Sequence, residues 1–229
     1  MRLRLRTNIC LKLLTILLCV FLSSCDRANQ TPIKVGILHS STGTMAISEQ
    51  SVIDATQMAI DEINASGGGL GRSLSSVVID GKSDGTAFAI GAEQLITKDK
   101  VSVIFGCWTS ASRKKVKPII EAYNHLLFYP VQYEGLEQSP NIIYTGATPN
   151  QQITPAVKWS TERFGKRISL AASDYVFPRA ANTLIKKQLI ALNANVVGEY
   201  YLPLGDQDVD AMIKAIAKTK PNSTVTTYF

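Results

Sequence analysis

The sequence predicts an α/β protein built on mainly parallel sheets, and three observations carry that prediction. Short apolar runs alternate along the chain with segments of roughly ten to fifteen residues whose apolar positions recur at helical spacing. The apolar runs are continuous rather than alternating with polar residues, as suits strands covered on both faces. At 229 residues and 45% hydrophobic side chains the chain can bury a large core, and the period of a solenoid is absent.

The first element is the strand-like run "IKVGILHS", followed by Gln50–Ala65, where Val52, Ala55, Met58, Ala59 and Ile63 recur at helical spacing. That helix stops at "GGGLG", Gly67–Gly71, which follows a helix and is no phosphate loop. Strand "SSVVID", helix Thr86–Lys98, strand "VSVIFG", helix Ala111–Asn124, strand "LLFYPV" and the segment "NIIYTG" continue the pattern. A second series follows: helix Gln151–Phe164, strand "RISLAAS", helix Arg179–Leu192, strand "NVVGEYYL", helix Val209–Lys218 and the run "STVTTYF". Two Rossmann-like lobes are expected, an N-terminal one over 33–148 and an incomplete second one over 149–229, since the final strand has no covering helix.

Residues 1–24 are expected to be an export signal. Arg2, Arg4 and Arg6 precede the apolar run "LKLLTILLCVFL", which is too short for a membrane span and ends in small residues. Its end, Leu22-Ser23-Ser24-Cys25, resembles the lipobox of bacterial lipoproteins, which implies lipidation at Cys25. Asp26 resembles the signal that holds some Gram-negative lipoproteins at the inner membrane, and 25–32 reads as a polar tether. The expected location is the periplasmic or extracytoplasmic face of a membrane. Removing the signal leaves 20 basic against 18 acidic residues, about +2, so the basicity is targeting and no nucleic acid is expected as partner. Cys10 and Cys19 leave with it, and Cys107 then remains without a disulfide partner.

Ligands of open α/β sheets bind outside the carboxyl ends of the strands. The segments there are "HSSTGTM", "CWTSASR", "YPVQYEG" and "SDYVFP", which interleave aromatic rings with hydroxyls, an amide and a few carboxylates. Acceptors such as Ser110, Gln132 and Asp174, with flat walls such as Trp108, Tyr129 and Tyr175, suit a small neutral molecule rich in N–H groups. Each residue also has an ordinary structural reading: aromatic rings at a core edge, Thr109, Ser110 and Ser112 as helix caps, and Asp174 at a helix start. The Arg113, Lys114, Lys115 and Lys117 cluster reads as a solvated helix face.

Enzymatic readings find little support. His39 and His125 are the only histidines, and no metal-ligand spacing occurs, so neither a metal nor a cofactor is expected. Cys107-Trp108 resembles the nucleophile neighbourhood of nitrilase-type amidases, yet Thr109 stands where that family usually has glutamate. A cysteine that finishes a buried strand is more often an inert hydrophobe.

The stretches "VGILHSSTGTMAISE", "FGCWTSASRK", "LLFYPVQYEG", "YTGATPNQQ" and "SDYVFPR" together resemble the urea-binding receptors of bacterial ABC uptake systems. These belong to the leucine/isoleucine/valine-binding-protein group of periplasmic type I binding folds. The related amide sensor has tyrosine at the position of Trp108 and "YPTPYEG" for "YPVQYEG", so Trp108, Val131 and Gln132 side with the receptors. The resemblance implies a lipid-anchored, non-enzymatic binding protein that captures urea or a short amide and delivers it to the permease subunits of an importer. It implies that Trp108, Ser110, Tyr129 and Tyr175 line the cleft; Gln132, Tyr133, Glu134 and Asp174 are adjacent on chemical grounds, and Ser40 lies in "HSSTG", where the family has "HSLSG". It further implies that roughly the last two fifths of a receptor of ordinary size are missing. An amide sensor acting on a regulatory partner and an amide hydrolase using Cys107 are the alternatives.

Overall fold

The structure, a computed structural model, describes residues 31–227; the signal segment, the lipobox and Cys25 lie outside the described residues. Continuous apolar runs become strands covered on both faces: five successive residues of β1 (Ile33–His39) are buried, as are the six interior residues of β6 (Arg167–Asp174). Between them come α1 (Ala46–Ala65), β2 (Leu74–Asp80), α2 (Gly85–Gln94), a π-helical turn over Leu95–Asp99, β3 (Val103–Gly106), α3 (Ser110–Ala122), β4 (Leu127–Tyr129), β5 (Ile142–Tyr144) and α4 (Ile153–Phe164). After β6 follow α5 (Val176–Ala191), β7 (Asn195–Pro203), α6 (Asp210–Thr219) and β8 (Ser223–Thr227).

The strands form a five-stranded sheet in the order β2-β1-β3-β4-β5 and a three-stranded sheet in the order β7-β6-β8. β1 pairs with β3, β3 with β4, β4 with β5, and β6 with both β7 and β8, all in parallel. In each sheet the winding reverses beside its first strand, at β1/β3 and at β6/β8. Such a reversal opens a crevice at the carboxyl ends of the strands.

Each sheet has its own apolar core. Leu38, Phe88, Leu95, Ile104, Val116, Ile120, Leu127, Tyr129 and Ile142 form the first; Val157, Ile168, Leu170, Phe177, Ala181, Ile185 and Leu189 form the second. At roughly 1.5–3 kcal/mol for each large apolar side chain, these two clusters are the main source of stability in a chain whose Cys107 is a free thiol.

By chain contacts the described residues fall into two units. The larger holds Lys34–Gln57 and all residues from Ser76 onward, and so both crevices; the smaller is Met58–Ser75 with the residues up to Ile33. Inside the smaller unit the Asn64 amide donates to the Leu74 carbonyl at 2.9 Å and accepts from its N–H at 2.7 Å, tying the end of α1 to the start of β2.

Candidate functional site

Three strand ends supply the site. Beyond β3 the chain turns sharply at Cys107, whose φ is +67° and whose N–H donates to the Leu38 carbonyl at 2.9 Å. A left-handed residue other than glycine costs about 1–2 kcal/mol, and here it swings Trp108 off the strand direction. Thr109 then caps α3, its hydroxyl accepting from Ser112 N–H at 3.0 Å, so Ser110 opens the helix in a fixed orientation. Beyond β4, Pro130 ends the strand and presents Val131 and Gln132. A side chain at Gly146 would collide with the Val131 carbonyl, so that segment is pinned from behind. Beyond β6, Tyr175 and Phe177 flank the start of α5.

These residues meet. Trp108, Ser110, Val131, Gln132, Tyr175 and Phe177 enclose one cavity of about 10 Å³, the scale of a single water. Tyr129 lies beneath it, fully buried, its hydroxyl donating to the Trp108 carbonyl at 2.7 Å. Burial pushes the Tyr129 and Tyr175 phenols up, so both remain protonated. A larger cavity of about 310 Å³ shares Gln132 and Phe177 with the first; its other walls include Ile153, Ile185 and Val225 from the second core and the polar side chains of Gln152, Thr226 and Thr227.

Behind Ser110 lies a charged network that the sequence reading placed in solvent. Arg113 is fully buried, which corrects the reading of its cluster as a solvated helix face; Lys114 keeps 43% of its side chain exposed. The guanidinium lies 4.7 Å from the Tyr129 ring centre and 5.4 Å from that of Tyr133, a stacking that accommodates a weakly hydrated cation. Its Nε donates to Glu137 at 2.7 Å, Nη1 to Ser110 at 3.0 Å and Nη2 to Glu134 at 3.2 Å. Ser110 Oγ in turn donates to Glu134 at 2.5 Å. Burial opposes ionisation of Glu137, but hydrogen bonds from Arg113, Lys114 and Tyr144 outweigh it and hold its carboxyl at about 2.

The remaining sequence-derived candidates lie apart from the cavity. Ser40 is buried; its hydroxyl accepts from Ser83 N–H at 2.9 Å and its N–H donates to Glu49 at 2.8 Å, beside the His39 to Glu49 contact at 3.0 Å. Asp174 forms an exposed two-pronged pair with Arg179, at 2.5 and 2.9 Å, and Arg179 stacks on Tyr201. Tyr133 stacks on Tyr144 with ring centres 4.5 Å apart and closes the side of the Arg113 network. Val131, Phe177 and Arg113 are the residues that sequence reasoning did not assign to the site. Cys107 is fully buried, and desolvation, then the charge of Glu49, pushes its thiol far up. A protonated, enclosed thiol is a poor nucleophile. Among the described residues no group of three or more His, Cys, Asp or Glu side chains is arranged to hold a metal.

Comparison with known proteins agrees with this architecture. The Leu/Ile/Val-binding protein of Citrobacter freundii is 24% identical over 205 residues, covering 87% of this chain and 55% of that protein. A solute-binding protein of an ABC transporter from Rhodopseudomonas palustris HaA2, solved with p-hydroxybenzoic acid, is 25% identical with a TM-score of 0.77, over 86% of this chain and 54% of that one. The substrate-binding protein of a branched-chain amino acid transporter from Streptococcus pneumoniae, solved with isoleucine, is 20% identical with a TM-score of 0.76, over 86% and 57%. The chain thus spans about half the length of the relatives it matches. The model of the family described as "Periplasmic binding protein domain" matches residues 33–228. With parallel α/β sheets in common with the type I structures, the chain belongs to the periplasmic binding protein domain family.

Proposed function

We propose that this chain is the ligand-capturing portion of a substrate-binding protein of an ABC importer and that its ligand is urea or a short amide. The carrying observation is the polarity of Ser110. Its proton goes to Glu134, which as a carboxylate can only accept, and one lone pair takes the Arg113 N–H. With its proton on Glu134, the capacity Ser110 keeps beside the Tyr129 hydroxyl is that of an acceptor, which suits a ligand N–H and repels a second acceptor.

Trp108 and Tyr175 supply flat walls, and Gln132 an amide able to donate to the ligand carbonyl as well as accept. In this reading residues 33–148 and 149–229 act as two lobes, each with its own sheet and core, that close on the ligand. Lipidation at Cys25 would tether the protein outside the cytoplasm beside its permease, and no catalytic step is involved. Calorimetry with urea, acetamide, isoleucine and p-hydroxybenzoate is the test. Saturable binding of the first two and none of the last two is expected; the reverse order would overturn the ligand assignment.

A further inference from the structure

Glu134 is 6% exposed and bridges two buried donors, the Ser110 hydroxyl at 2.5 Å and Arg113 Nη2 at 3.2 Å, with Lys114 Nζ at 3.4 Å on its outer side. A hydroxyl beside a guanidinium edge is the pair of donors that an incoming carboxylate would take up. Each nitrogen of Arg113 already donates one N–H, to Glu137, Ser110 and Glu134, which fixes the guanidinium, and its face is covered by Tyr129. We propose that Glu134 is a specificity-determining residue that serves as a resident carboxylate: it occupies the donors of Ser110 and Arg113 and so closes the cavity to acids.

The physical case has two parts. An acid entering beside Ser110 would bring a second carboxylate against the first in a nearly dry space, with no donor left at Ser110 to compensate it. A neutral amide loses nothing there, since its N–H finds the remaining lone pair of Ser110. Sites whose buried polar groups are left unpaired by the wrong ligand discriminate far more strongly than sites that differ only in shape. The inference rests on the amide reading of the cavity, but it makes a separate statement, that charge selection resides in one side chain.

Acetamide and acetate, near-isosteres differing in charge, are the probes, and the full chain and its Glu134→Gln variant are titrated with both by calorimetry. The wild type should prefer acetamide by about a hundredfold or more, and Glu134→Gln should lose about tenfold in acetamide affinity while gaining measurable acetate binding. Glu137→Gln, which loosens Arg113 without vacating the position beneath Ser110, should lower the melting temperature and gain no acetate. Circular dichroism establishes that each variant is folded. A folded Glu134→Gln that weakens acetamide and gains no acetate would overturn the proposal while leaving the amide reading intact. If that variant does not fold, the wild type decides: acetate binding within about tenfold of acetamide overturns the proposal, and a larger gap sustains it. A wild type that binds neither urea nor acetamide defeats the amide reading, and the gain of acetate in Glu134→Gln then decides the charge inference by itself.

Discussion

The Tyr129 hydroxyl donates to the carbonyl of Trp108 across 2.7 Å, so a buried tyrosine at the end of β4 holds the backbone of the residue that walls the cavity. Tyr129→Phe removes that hydrogen bond in a dry setting. It should cost about 1–2 kcal/mol in guanidinium chloride unfolding and weaken amide binding by several fold through a looser Trp108. Guanidinium is the appropriate denaturant because urea is itself the proposed ligand.

Arg113→Met removes the cation from between two carboxylates. Although the replacement fills much of the space and Lys114 still reaches Glu134 at 3.4 Å and Glu137 at 2.8 Å, both carboxylates lose their buried partner, and a loss of about 3 kcal/mol is expected. The double variant Arg113→Met, Glu137→Gln should recover part of it, and a double-mutant cycle on guanidinium midpoints measures the coupling.

Two carboxyls set the acid limit of stability. Glu137 titrates at about 2 because hydrogen bonds, from Arg113 first, outweigh its burial; Asp80 reaches about 2 in the same way, with the Thr42 hydroxyl and the N–H groups of Lys82, Ser41 and Thr42 as donors. Both values lie below those of the unfolded chain. Their stabilisation is therefore fully present above the ordinary carboxylate range near 4 and is lost as pH falls from there through about 2. Thermal melts between neutrality and strong acid should fall most steeply in that interval, and Glu137→Gln should flatten the slope.

Trp108→Ala removes one wall of the cavity without touching either apolar core's centre. Amide affinity should fall by about thirtyfold or more in calorimetry, the usual loss for a central aromatic anchor, while the fold persists by circular dichroism.

Peptide-level mass spectrometry after treatment with N-ethylmaleimide tests the inertness of Cys107. The native protein should show no adduct at Cys107, and the guanidinium-unfolded protein should be fully labelled, because the thiol is enclosed and held protonated. Rapid native labelling would contradict its placement.

The element order was legible because strand-helix alternation is a property of local apolar spacing, and both series appear as read. Boundaries were less so. The helix expected from Arg179 begins at Val176, since Pro178 is tolerated in a first turn where no N–H bond is lost. The run "LLFYPV" yields only Leu127–Tyr129 as strand because Pro130 cannot continue the ladder. Trp108, Ser110, Gln132 and Tyr175, picked out at separate strand ends, line one cavity. Arg113 was misread for a definite reason: a run of like charges looks solvated, and its partners Glu134 and Glu137 lie more than twenty residues away, where only tertiary pairing brings them. The same distance hid the role of Ser110 as the relay between cavity and charge.

Trp108 and Trp159 are the chain's two tryptophans, and their surroundings differ sharply. Trp159 is 60% exposed and meets Phe164 edge-on, whereas Trp108 sits at the cavity with Tyr129 bonded to its carbonyl. The protein thus carries its own optical reporter. A dissolved quencher such as iodide should silence the exposed Trp159, and what remains is the light of the indole at the cavity.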